Sequence, residues 1–161
     1  MQPSIPDDTR PRVVALHVAP EHHAPVRSVD EVVAETGAGL VGDRHHGRRH
    51  RHVSLQSLPD LDAAGAELGR PVTPASTRRN VTVSHGVVPT EPGARVRIGE
   101  VELEVVRLAA PCRVMEESIG PGGRTALRRR GGSVLRVLHG GTVRVGDRVD
   151  LPSEPPVMLA P

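Results

Sequence analysis

Three groups of residues carry the chemistry open to this chain of 161 residues. Cys112 is its single thiol, set in APCRVME just after the run VELEVVRL and a proline. One reading of it is a small buried hydrophobe. The other is a thiolate on a loop at a strand end, where Arg113 and neighbouring Arg or His side chains favour the charged form and make a nucleophile or a sulfur carrier. The second group is GDRHHGRRHRH, Gly42 to His52, which packs Asp43, four Arg and four His into eleven residues. A solvated basic loop is its plainest reading. Imidazole clusters also bind zinc, with Asp43 as an oxygen ligand, although the spacing follows no standard zinc signature. An anion pocket suits the residue types better, because planar Arg forks pair with phosphate or carboxylate oxygens. The third group is a pair of basic loops, STRRN (Ser76 to Asn80) and RTALRRRGG (Arg124 to Gly132). Three basic loops, each leading into a strand, would converge on one rim beside Cys112 and hold an anionic ligand there.

Composition bounds what else the chain can do. It has no Phe, Tyr or Trp, and all 21 of its basic residues are Arg. The scarce residues, Trp apart, are those with AT-rich codons, so GC-rich coding accounts for much of the bias. Without aromatic rings there are no stacking platforms for single-stranded nucleic acid and no aromatic belt at a membrane. No apolar run approaches the roughly 18 residues that span a bilayer, and MQPSIPDDTRPR has no signal-peptide core. The expectation is a cytoplasmic protein without nucleic-acid or membrane partners. One cysteine excludes an internal disulfide and agrees with a reducing compartment. The pI near 9.8 exaggerates a net charge of only +2, because with no Lys or Tyr little titrates between neutrality and the Arg range.

The elements that must position these residues are mostly strands. GARVRI and VELEVV alternate on either side of Gly99-Glu100 and predict a hairpin. SVLRVL, TVRV and RVDL, separated by Gly140-Gly141 and Gly146-Asp147, read as a three-stranded meander. RVVALHV (12 to 18), DEVVAE (30 to 35), RHVSLQ (51 to 56) and NVTVS (80 to 84) supply earlier strands. The firm helix follows Ser57, with Leu58, Leu61, Gly65 and Leu68 on one face and Gly69 as its stop. A weaker one covers Arg124 to Arg130. Residues 1–11 and 152–161 are Pro-rich tails, which leaves one domain over 12–151. The fold class is mainly β, a closed or partly closed barrel with one or two short helices, its core of small side chains and its ligand at a rim.

The order GLVGDRHHG, RHVSL, RRNVTV, GARVRIGEVELEV, APC and RRRGGSVLRVLHGGTVRVGD resembles the MOSC domain, named for the C-terminal domain of molybdenum cofactor sulfurases, from about Val13 to Leu151. The resemblance implies a mainly β, barrel-like fold with bent strands. It also implies a stand-alone protein that binds the molybdenum cofactor (molybdopterin) or carries sulfane sulfur, for sulfur transfer or for reduction of N-hydroxylated compounds. Cys112 would be the persulfide carrier or metal ligand and His45 its catalytic companion. Asp43, Arg51, Arg79, Asn80 and Arg128 would hold the cofactor, with Arg forks on its phosphate. His52 stands where the family often has Gln. With no Lys, the chain cannot bind pyridoxal phosphate covalently, so sulfur would come from a separate cysteine desulfurase. Two other readings remain: a cofactor-free module for a small anionic ligand, and a barrel turned into a lyase or cyclase with His45 or His52 as base.

Overall fold

The computed structural model describes residues 9–152, so most of the two expected tails lies outside the described residues. An eight-stranded sheet runs in the order β11-β7-β8-β9-β5-β6-β1-β2. Its members are β1 (Val13–Val18), β2 (Arg27–Val29), β5 (Val53–Ser57), β6 (Val81–Val83), β7 (Arg95–Ile98), β8 (Val101–Leu108), β9 (Ser133–His139) and β11 (Val149–Asp150). A second sheet has the order β10-β3-β4, from β3 (Glu31–Glu35), β4 (Gly39–Leu40) and β10 (Gly141–Arg144). The fold is mainly β, as expected, but neither sheet closes into a barrel. The short strand β11 has a ladder only with β7; it and the chain before it meet the chain at the start of β1 through an isolated Arg12↔Arg148 bridge and a few backbone bonds, among them the Val149 amide to the Pro11 carbonyl and the Val13 amide to the Asp147 carbonyl. Val, Leu and Ile side chains from both sheets fill one core, including Val32 and Val143 from the small sheet and Leu55, Ile98 and Leu135 from the large one.

The hairpin over β7 and β8 forms as read, with Ile98 opposite Val101. Helix α1 (Leu58–Leu68) also forms as read: the Ser57 hydroxyl accepts the Asp60 amide, and Gly69 ends the helix in the left-handed region at φ 73°. The expected meander does not form. β9 lies between β8 and β5, β10 leaves to pair with β3, and β11 returns to β7. The Gly140-Gly141 pair is a crossing rather than a hairpin turn: a Cβ on Gly140 would sit 2.4 Å from the Ala34 carbonyl oxygen, so only glycine lets the chain pass that close. Between β8 and β9 two short helices stand, α2 (Arg113–Ile119) and α3 (Gly123–Ala126); the first was not anticipated and the second ends well before Arg130. Met115, Ala126 and Leu127 join α1 in a smaller apolar cluster with Leu61 and Ala64.

One topological feature brings the functional loops together. β5 and β6 are parallel, joined by the α1 crossover, with Leu55 beside Val81. Parallel strands begin at the same edge, so the segments that precede them, Arg51-His52 and Arg78-Arg79-Asn80, are neighbours. β1 runs antiparallel to β6 with Leu16 opposite Val81, so the chain leaving β1 at Ala19 reaches the same edge.

Candidate functional site

Asn80 and Asp43 form the floor. The Asn80 side chain accepts from the Ser54 amide (2.9 Å) and hydroxyl (3.0 Å), and donates to the His17 carbonyl (3.0 Å) and to Asp43 Oδ1 (3.3 Å). Asp43 Oδ1 also accepts the Ala19 amide at 2.9 Å, while Oδ2 takes the His45 amide and His45 Nδ1, both at 3.2 Å. Burial pushes the Asp43 carboxyl up, but the His45 side-chain bond and the Ala19 and His45 amides outweigh it and leave it below its ordinary value. Asp43 is therefore an anion saturated by four donors. Because His45 gives Nδ1–H to this carboxylate, the nitrogen left to act as an acceptor is Nε2.

Above this floor lies a cavity of about 310 Å³. Its walls include Arg44, His45, Arg51, Arg78, Arg79 and Arg113 as well as Asp43, Asn80 and the exposed Cys112. Five arginines thus line a cavity that holds one carboxylate, although the Arg113 guanidinium turns outward to Glu117. Arg51 makes no hydrogen bond or ion pair with any described residue, and burial followed by repulsion from Arg44 and Arg107 lowers its pKa. Arg78 donates through Nη1 to the Ala24 carbonyl at 2.7 Å, but its buried Nη2 has no partner. Arg51, Arg78 and Arg79 all lie within electrostatic reach of Cys112, whose negative form favours their charge. A hollow of about 530 Å³ adjoins, sharing His22, Arg44, His45 and Arg51 and adding Arg48, Arg49 and Arg107. The two make one strongly cationic trough with a thiol at its edge.

Arg79 is placed differently from its neighbours. Only 4% exposed, it donates through Nε to the Gly131 carbonyl (3.0 Å) and through Nη2 to the carbonyls of Ala109 and Ala110 (both 3.4 Å). Burial, with repulsion from Arg51, lowers its pKa to about 10. It is a clamp on the loop that carries Cys112 as well as part of the cavity wall.

Of the residues singled out from the sequence, Cys112, His45, Asp43, Arg51, Arg79 and Asn80 all line this cavity. Arg128 does not: it lines a separate hollow with Arg124 and Arg129 on the far side of Ala110-Pro111, so two of the three basic loops meet at Cys112 and the third stands apart. The His-rich segment is dispersed. His46 pairs with Glu35, and His52 is buried with Nε2 donating to the Arg48 carbonyl (2.6 Å) and Nδ1 accepting the Val137 amide (2.9 Å). Both His52 nitrogens are engaged, which removes it as a base. Among the described residues no group of three or more His, Cys, Asp or Glu side chains is placed to hold a metal ion. Sequence reasoning passed over Arg44 and Arg78 as individual residues and His22 altogether; the basic runs pointed to the first two, whereas no pattern marks the loop holding His22.

The fold has solved relatives. YuaD of Bacillus subtilis superposes with a TM-score of 0.77 at 20% identity, over 88% of this chain and 94% of that one. YiiM of Geobacillus stearothermophilus gives 0.67 at 16% identity over 89% and 75% of the two chains, and YiiM of Escherichia coli 0.65 at 20% over 89% and 70%. No curated protein matches the sequence. The family model for the MOSC domain matches residues 42–150, which takes in the Asp43 to His52 segment, the Arg79-Asn80 pair, Cys112 and all strands from β5 onward. The chain belongs to the MOSC domain family.

Proposed function

We propose that the trough binds an anionic group that reacts with, or is held by, the Cys112 thiolate, so that this protein either binds a molybdenum cofactor or carries sulfane sulfur. The observation that carries the reading is the buried Arg78 Nη2, left without a hydrogen-bond partner, beside the half-buried Arg51, which bonds no described residue, in the same cavity as an exposed thiol. Buried unpartnered donors are rare in folded proteins, and an oxyanion satisfies them.

The residues present fit a molybdopterin. Cys112 offers the soft donor that such a metal takes, Arg51 and Arg78 offer paired N–H groups to a phosphate, and the two joined hollows fall within the usual range of ligand sites, about 300–1,000 Å³. When bound, the cofactor would supply two-electron atom transfer, including reduction of N-hydroxylated compounds. The chain itself would bind the phosphate, present the thiolate, and hold a proton at His45 Nε2, whose ring Asp43 fixes.

As a sulfur carrier the chain needs a donor persulfide from a separate protein, such as a cysteine desulfurase. Cys112 S⁻ attacks the outer sulfur of the donor R–S–SH, the donor's S–S bond breaks, and R–S⁻ leaves as Cys112–S–SH forms. No net oxidation occurs. The cationic walls attract an anionic donor and hold the anionic persulfide that forms.

The test is intact mass together with cyanide-labile sulfur, after incubation with a persulfide donor and removal of small molecules. Wild type gains one sulfur atom and Cys112→Ala gains none. Labelling at equal levels in both, or in neither with no molybdenum bound, would remove the reading.

A further inference from the structure

The third basic loop is absorbed by neither floor nor wall of the Cys112 cavity, yet it stands beside the same loop. Leu108, Ala110, Pro111, Arg124, Arg128 and Arg129 line a hollow of about 370 Å³, and Pro111 immediately precedes Cys112. All six except Pro111 are exposed, Leu108 at 40%. A small ligand there would stay mostly in water, while a protein surface laid over it would bury the whole strip.

Charge selects the partner. Arg130 turns back to Glu67 and to the Ala126 carbonyl, whereas the side chains of Arg124, Arg128 and Arg129 make no hydrogen bond or ion pair with any described residue. Arg129 holds a left-handed φ of 63°, an unfavourable conformation for a non-glycine residue, at the turn that sets Arg128 and Arg129 on one hollow. The hollow is lined by these three Arg and by no Asp or Glu. Unpaired arginines around a short apolar strip are the usual composition of a recognition surface for an acidic protein segment.

We infer that this face docks an acidic, partly apolar segment of a partner protein and brings the partner's own reactive group to Cys112. The inference rests on the reading of Cys112 as the reactive thiol, and specifies the chemistry of whatever hands sulfur to it or takes it away. Arg44, Arg48 and Arg49 stay on the small-ligand side, in the trough.

The experiment measures thiol–disulfide exchange at Cys112 with two short peptides, each carrying one Cys activated as a mixed disulfide with 5-thio-2-nitrobenzoate, one otherwise of Glu and Leu and the other with Gln for every Glu. Absorbance follows the released thionitrobenzoate at low and at high salt. The acidic peptide is expected to react at least about tenfold faster than the neutral one at low salt. Arg124→Glu/Arg129→Glu should erase that ratio without slowing the neutral peptide, and Arg48→Glu/Arg49→Glu should preserve it. Both pairs are exposed, and circular dichroism checks that each variant is folded. Equal rates for the two peptides, or a ratio erased by the Arg48/Arg49 variant instead, overturn the docking surface while leaving Cys112 as a reactive thiol. Loss of the ratio on adding tripolyphosphate well below the bulk salt concentration would make the hollow a small-anion site and also overturn it. If Cys112 exchanges with neither peptide, the reading of its reactivity falls as well.

Discussion

Replacing Arg79 by Met separates a positioning role from a purely stabilising one. Burial, with repulsion from Arg51, takes the guanidinium from its ordinary value down to about 10, and at about 1.4 kcal/mol per unit that environment costs roughly 3 kcal/mol. Met removes this cost and keeps much of the volume. It also orphans two carbonyl groups on buried residues, those of Gly131 and Ala109, at about 1–3 kcal/mol each, while exposed Ala110 turns to water. About 4 kcal/mol lost against about 3 relieved leaves roughly 1 kcal/mol of destabilisation, or about 3 °C in Tm. The local effect is much larger, because the Ala109–Cys112 segment loses the side-chain clamp that ties its Ala109 and Ala110 carbonyls to Gly131 and keeps only the Ala109 amide bond to the Gly132 carbonyl as a tie to the turn before β9. Hydrogen exchange followed by mass spectrometry should show peptides covering 108–114 exchanging more than about tenfold faster, with β5 and β9 unchanged. Unaltered protection over 108–114 would refute the clamp. So would a global loss above about 3 kcal/mol, since Arg79 would then be a keystone of the whole fold.

Asn80→Asp should be worse than Asn80→Ala: it loses the donation to the His17 carbonyl and sets a second carboxylate about 3 Å from Asp43, so urea unfolding should show a loss of more than about 3 kcal/mol. Gly132→Ala would put a Cβ 1.7 Å from the Leu55 carbonyl oxygen at φ 83°, and should yield no soluble folded protein in gel filtration; a folded variant would show that β5 and β9 can separate at that point. His17 and His52 are both held below 6.5 by burial, His52 despite its bond to the Arg48 carbonyl. The unfolded chain then takes up protons first, so stability falls as pH drops below about 6.5, and urea midpoints should be lower at pH 5 than at pH 7.5. Equal midpoints would mean that these rings are not held neutral.

What was legible in the sequence was local. The β7–β8 hairpin needs only a Gly-Glu turn between alternating runs, and α1 needs only Ser57, its leucines and Gly69; both form where they were read. The last three strands have equally good local signals yet none pairs with another of the three, because pairing depends on the whole topology rather than on the turn between neighbours. The parallel β5–β6 pair, which brings Arg51 beside Arg79 and Asn80, has no signature in either strand. At the site, residue type marked Cys112, Asp43 and the arginines as a chemical set, but not which of them faces the cavity. Arg79 and Arg128 look alike in a basic run; one is buried on three carbonyls and the other stands in a different hollow.

The most direct test of the account is the molybdenum and sulfane-sulfur content of protein purified from a host that makes the cofactor, compared among wild type, Cys112→Ala and Arg51→Ala. The account predicts metal or sulfur in the wild type, at up to one equivalent per chain, lost without Cys112 and strongly reduced without Arg51. Content unchanged in Cys112→Ala would contradict it.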